Sequence, residues 1–199
     1  MSTAYELNGR TAQKRRTRDA LVAAARDLVS QGDAPTVEAA AGAASISRTT
    51  AYRYFPNQRA LVSAAHPEVD ARSLLPDDAP TDVAARLDAV IDAFTRQIVD
   101  NELQQRTMLR LSLEPPPDRQ ADLLLRQGRA IGWIEEAVEP LRVQLGDAAL
   151  RRLVVGIRSA VGIEALVWLT DVAKLSRDDA RELMRWSAQA MLRAARDGV

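Results

Sequence analysis

Apolar positions along this chain recur about every 3.6 residues, and strand-like alternation is scarce, so the pattern predicts an all-helical protein. Leu21, Ala24, Ala25, Leu28 and Val29 form the first stripe, on a helix from Thr17 to about Ser30 with Gly32 as its C-cap. Pro35 and Thr36 open a short second helix, with Thr36 as N-cap and Glu38 in the first turn, where the helix dipole favours an anion. Ser45 to Ser47 breaks it. A third helix begins after Ser47, and a fourth runs from about Asn57 to His66, where Pro67 stops it.

The stretch from Pro67 to Pro80 mixes prolines with acidic residues and reads as a connection. Beyond it, Val83, Leu87, Val90, Ile91, Phe94 and Ile98 mark a long amphipathic helix, and Met108, Leu109, Leu111 and Leu113 a shorter one ended by Pro115 to Pro117. Leu124, Ile131, Ile134, Val138, Leu141 and Leu145 form a further stripe, in which Pro140 is expected to kink or split the helix. Leu150, Leu153, Ile157, Val161, Ala165 and Trp168 mark the penultimate helix. Leu183, Trp186, Ala190 and Met191 mark the last. The expected organisation is a domain over residues 1–66, a connection over 67–80 and a larger helical domain over 81–199.

Composition narrows the chemistry. The 199 residues include no cysteine and one histidine, His66, which excludes disulfides and thiolate or multi-histidine metal sites. No cofactor or metal is expected. No uninterrupted apolar run reaches the roughly 18 to 20 residues of a membrane span, and no signal-peptide core opens the chain, so the expectation is a cytoplasmic protein without a membrane partner. The net charge of zero hides a division. Residues 1–65 carry nine Lys or Arg against five Asp or Glu, and the rest eighteen against twenty-two, giving +4 and −4. A basic N-terminal segment on an acidic body is the footprint expected where one end meets phosphate. Arg10, Lys14, Arg15, Arg16 and Arg18 supply much of it, as a solvated arm or, beside a DNA-binding helix, a phosphate clamp.

The informative segment is TVEAAAGAASISRTTAYRYFPNQRAL, from Thr36 to Leu61. Small Ala40, Ala41 and Ala44 allow two helices to cross closely, while Ile46 and Phe55 can plug a shared core. Ser47 can cap the following helix, which places Arg48, Thr49 and Thr50 in the first turn. In a DNA-binding helix-turn-helix that turn enters the major groove.

The segment resembles the signature of TetR-type transcriptional regulators, T-V-x-x-I-A-x-x-A-G-V-S-x-x-T-x-Y-x-H/Y-F-x-x-K-x-x-L. Thr36, Val37, Ala41, Ala44, Ser47, Thr50, Tyr52, Tyr54, Phe55 and Leu61 fall on it in register. The resemblance implies an N-terminal three-helix helix-turn-helix domain followed by a helical ligand-binding and dimerisation domain. By the same resemblance Thr36 and Tyr54 contact phosphates, Arg48, Thr49 and Thr50 enter the groove, and Tyr52 meets backbone or a thymine methyl. Arg53 completes the groove-reading segment, with Arg16 and Arg18 as phosphate contacts. Ala40 departs from the pattern by replacing a larger aliphatic, Ser45 by replacing the turn glycine, and Gln58 by replacing a lysine.

For the remaining helices the resemblance implies a small-molecule effector and a homodimer formed through the last two. Phe94, Met108, Leu111, Trp133, Ile134 and Trp168 are the expected pocket residues, with Arg110 and Glu164 as polar contacts. Glu164 stands within the apolar steps Ile157, Val161 and Trp168, so it needs a partner in protein or ligand. Ligand entry is expected to move the helix from Asn57 to His66 and release a palindromic operator. Two other readings stay open: a DNA-binding dimer with no effector, and a helical enzyme on the same scaffold. The absence of an ordered Asp/Glu/His constellation argues against the enzyme.

Overall fold

The computed structural model describes residues 4–31, 35–65, 72–113 and 128–198, with side chains from Thr11 onward. All regular structure among them is helical. The expected cap at Gly32, the stop at Pro67, His66, the triple proline and Leu124 lie outside the described residues. The chain forms two compact units, Met1–Asp70 with Thr107–Arg126, and Ala71–Arg106 with Gln127–Val199.

In the first unit, α1 spans Ala4–Ser30, thirteen residues longer at its start than the apolar stripe predicts. Among its described side chains, those from Thr11 onward, burial begins at Leu21. Helix α2, Val37–Ala43, is capped by Thr36, whose hydroxyl accepts from the Ala39 amide at 3.0 Å. It ends in a Schellman turn: the Ser45 amide donates to the Gly42 carbonyl at 3.1 Å and the Ile46 amide to the Ala41 carbonyl at 2.8 Å. Ser45 therefore takes the left-handed conformation, φ +55°, which usually falls to glycine. The departure from the family pattern leaves the turn's shape intact and strains it. Ser45→Gly should relieve that strain and stabilise this unit by about 1 kcal/mol. Thermal denaturation would show it as a raised midpoint, and an unchanged or lower midpoint would contradict it.

Helix α3, Arg48–Tyr54, starts where Ser47 caps the Thr50 amide, and α4, Gln58–Ala65, where the Asn57 side chain accepts from the Ala60 amide at 2.9 Å. Four helices share one core of Leu21, Ala25, Ala40, Ala51, Phe55 and Leu61, all nearly or fully buried. Ala40, smaller than the family's aliphatic, is fully buried there and lets α2 lie close.

In the second unit, α5 (Val83–Asp100), α7 (Arg129–Val138), α8 (Arg142–Ala160) and α10 (Arg177–Asp197) pack in a closed ring, each against two neighbours. An antiparallel polar ladder joins α5 to α10. Gln189 donates to the Ala84 carbonyl at 2.8 Å, Arg185 to Asp88 at 2.7 Å and Arg181 to Asp92 at 3.0 Å, one helical turn per rung. The division between units falls within α6, Glu102–Leu113. At its start Glu102 is nearly buried between Arg106 and Arg177. Burial alone would raise the Glu102 carboxyl, but the two guanidiniums outweigh it and hold it below its ordinary range. Arg106 also donates to Asp171 at 2.7 Å, and with Thr170 lowers that carboxyl to about 2.

One expectation is met here and two need correction. The split expected at Pro140 is present: α7 ends at Val138, and Pro140 sits in a short 3-10 turn, Glu139–Leu141, near the start of α8, where its missing N–H costs little. A second break falls at Gly146, φ +74°, inside α8 and between the stripe that ends at Leu145 and the one that starts at Leu150. The stripe from Leu150 to Trp168 is not one helix: α8 ends at Ala160, and after Val161 and Gly162 the chain continues as α9, Ile163–Val167, and a π turn, Trp168–Val172. The helical stretch Arg129–Val172 is apolar enough in one window to pass for a membrane span, but these breaks interrupt it and much of it is buried. On α10 the buried line is Ala180, Met184, Ala188 and Leu192, so Leu183 and Trp186 point outward. Both lines have helical spacing, and packing selects the one with smaller residues against α5 and α8.

Candidate nucleic-acid interface

Helix α3 has only seven residues, and what it buries decides what it shows. Ala51, with Phe55 just past the helix, faces the core, which leaves Arg48, Thr49, Tyr52 and Arg53 on one exposed arc. Thr50 and Tyr54 flank the arc half-buried. The Ser47 hydroxyl donates to Thr50 Oγ1 at 2.9 Å, and Tyr54 packs against the core cluster. Of the sequence-predicted contacts, four thus stand together outward and two serve partly to hold the helix in place.

A residue that sequence reasoning missed organises the surface between α2 and α3. The Tyr52 hydroxyl donates to Glu38 Oε1. That hydrogen bond is the main reason the Glu38 carboxyl lies below its ordinary value; the Thr36 hydroxyl and the charge of Arg48 act in the same direction. The same bond raises the Tyr52 phenol. Glu38 therefore ties together Thr36, Arg48 and Tyr52, three of the residues expected to meet DNA. Nothing in helical periodicity links positions 38 and 52. The one signal in the sequence was an acid in the first turn of α2 and, on the next helix, a tyrosine whose hydroxyl needs a polar partner.

The arginines of α1 are placed unequally. The Arg18 guanidinium lies over the Phe55 ring, 5.5 Å from its centroid, and so closes the core beside the end of α3. Arg16 is exposed and donates to Gln13 at 2.8 Å. Lys14 and Arg15 are exposed.

The expected effector residues divide between the two units. Phe94 and Trp133 meet edge to face at 5.8 Å in the core of the second unit, where Ile134 is fully buried. Met108 and Leu111 instead pack with Val62 in the first unit, because the later part of α6 belongs to that cluster. Arg110 is exposed on the same helix. Trp168 is 58% exposed, since the break at Gly162 rotates it off the stripe it was expected to continue. Glu164 pairs with Arg158 at 3.2 Å, and Arg158 also lies over the Phe94 ring at 6.0 Å. Gly162, φ +159°, sits under this pair, where a side chain would run into both head groups. Glu164 thus has its partner within the protein. With Trp168, Leu183 and Met184 it lines an open groove of about 380 Å³. Among the described residues no cluster of acids or histidine could hold a metal ion. No protein-family model matches this chain, and no curated protein is significantly similar to it.

Proposed function

We propose that this chain is a sequence-specific, DNA-binding transcriptional regulator of the TetR type, acting as a homodimer that represses from a palindromic operator. The observation that carries this reading is the exposed arc of Arg48, Thr49, Tyr52 and Arg53 on a short helix capped by Ser47. It is the right size and chemistry for base edges in a major groove. Two such helices about 34 Å apart would read half-sites one helical turn apart. A small-molecule effector would release the operator to the extent that it favours a DNA-incompetent arrangement.

A specific observation favours a second reading, a repressor without an effector. Phe94, Trp133 and Ile134, three of the expected effector contacts, are buried in the packed core of the second unit. Operator affinity unaffected by any compound that demonstrably binds the protein would select this second reading.

Selection from random duplexes with the purified protein tests the DNA-binding function. An inverted repeat should be enriched. Arg48→Ala should lose about 1 to 3 kcal/mol of discrimination, roughly 5- to 150-fold, at one base pair in each half-site. No enriched sequence, or a palindrome bound equally well by Arg48→Ala and Tyr52→Ala, would overturn the proposal.

A further inference from the structure

Between Thr11 and Ala20, α1 covers no core. From Thr11 to Ala20 every side chain is exposed or half-exposed, and burial begins at Leu21. Packing therefore does not explain why the helix continues there, and isolated helical segments of this length are marginal in water. Its charges work against it as well. Lys14, Arg15, Arg16 and Arg18 stand in five positions, Lys14 and Arg18 are a like-charged i, i+4 pair, and among the described residues none of the four pairs with a carboxylate.

Two contacts locate this segment within the first unit. Arg26 Nε donates to the carbonyl of Ala65, the last residue of α4, at 2.9 Å. Eight residues earlier, Arg18 lies over Phe55, just before α4 begins. The two helices thus run parallel for about 12 Å, and the fourteen residues from Arg18 back to Ala4 extend about 21 Å past the end of α3 and the start of α4. A row of cations without carboxylate partners leaves the body beside the helix proposed to read DNA.

We infer that this part of α1 is a helical outrigger for duplex DNA: Lys14, Arg15 and Arg16 engage backbone phosphates flanking the half-site that α3 reads. The inference rests on the DNA-binding reading above and goes beyond it in assigning a second contact, outside the operator, that adds affinity without reading sequence. A polyanion of fixed spacing removes the self-repulsion of the cluster, and release of its counterions supplies the free energy.

The test compares the full-length protein with the triple variant Lys14→Gln, Arg15→Gln, Arg16→Gln on the selected duplex over a range of salt concentrations. All three side chains are exposed, so the variant should fold, which circular dichroism checks. The slope of log affinity against log salt should become shallower by about 0.9 for each phosphate that is no longer neutralised, up to about 2.7 per chain, with base preferences unchanged. Trimming about six base pairs of flanking duplex from each side, some 20 Å, should weaken the wild type and leave the variant unaffected. Equal slopes, or altered base preferences in the variant, would overturn the inference while leaving the DNA-binding reading standing. Binding of the wild type to phosphatidylglycerol vesicles, abolished in the variant with no change in salt slope on DNA, would assign the cluster to a membrane surface and also overturn it. A wild type that enriches no duplex would sink both.

Discussion

Phe55→Ala is expected to destabilise the first unit by about 3 to 5 kcal/mol and to abolish duplex binding with it. Phe55 is 3% exposed and stands at the end of α3, between Ala51, Leu21 and the aliphatic residues of α4. Its amide still closes the last turn of α3, donating to the Ala51 carbonyl at 2.9 Å, so the truncation removes packing and leaves backbone pairing in place. The void would open beside Ala51 and Tyr54, where the seven-residue α3 meets the core, and such a helix has almost no stability of its own. Arg18 would also be deprived of the ring beneath its guanidinium. A loss of this size approaches the whole stability of a small unit. Calorimetry should show an early transition absent from the wild type, and retention of both wild-type melting and operator binding would show that α3 is held by something other than this plug.

Trp186→Ala should weaken self-association by about 2 kcal/mol or more, roughly 30-fold in dissociation constant, with little effect on the melting of the single chain. Trp186 is 62% exposed on α10, and Trp168, Val172, Leu183 and Val155 are also exposed large apolar residues of the second unit. Tryptophans left in water beside an open groove are the kind of residue that carries binding energy at protein interfaces. If the homodimer forms through α8 and α10, the variant should sediment as a monomer at concentrations where the wild type is a dimer. Its operator affinity should then fall in parallel, since each half-site would be read alone. A wild type that sediments as a monomer, or a variant that remains a dimer with unchanged operator affinity, would exclude this face.

The helices of the first unit were readable because their signals act over three or four residues. Thr36, Ser47 and Asn57 each satisfy an amide within one turn, and the apolar spacing from Leu21 to Val29 and from Val37 to Ala41 is local as well. The same reasoning failed where two faces of one helix carried equally good spacing. On α10 the line of Leu183 and Trp186 competes with that of Ala180, Met184 and Ala188, and only the neighbouring helices decide between them. It failed again at Gly162, where a single glycine divides an apolar run that looks continuous. The extension of α1 ahead of Leu21 has no apolar stripe to announce it.

The sequence by itself determined that the protein is helical, that a capped short helix carries Arg48 to Tyr54, and that the basic charge lies at the N-terminal end. These follow from propensities, caps and counts that need no distant partner. Only the tertiary structure decided that Tyr52 donates to Glu38, that Arg18 covers Phe55, that Glu164 answers Arg158 and that Phe94 meets Trp133. Side chains six to thirty-nine positions apart become partners through the crossing of helices and the breaks between them. Those are set by how whole faces pack, and no spacing along the chain encodes them.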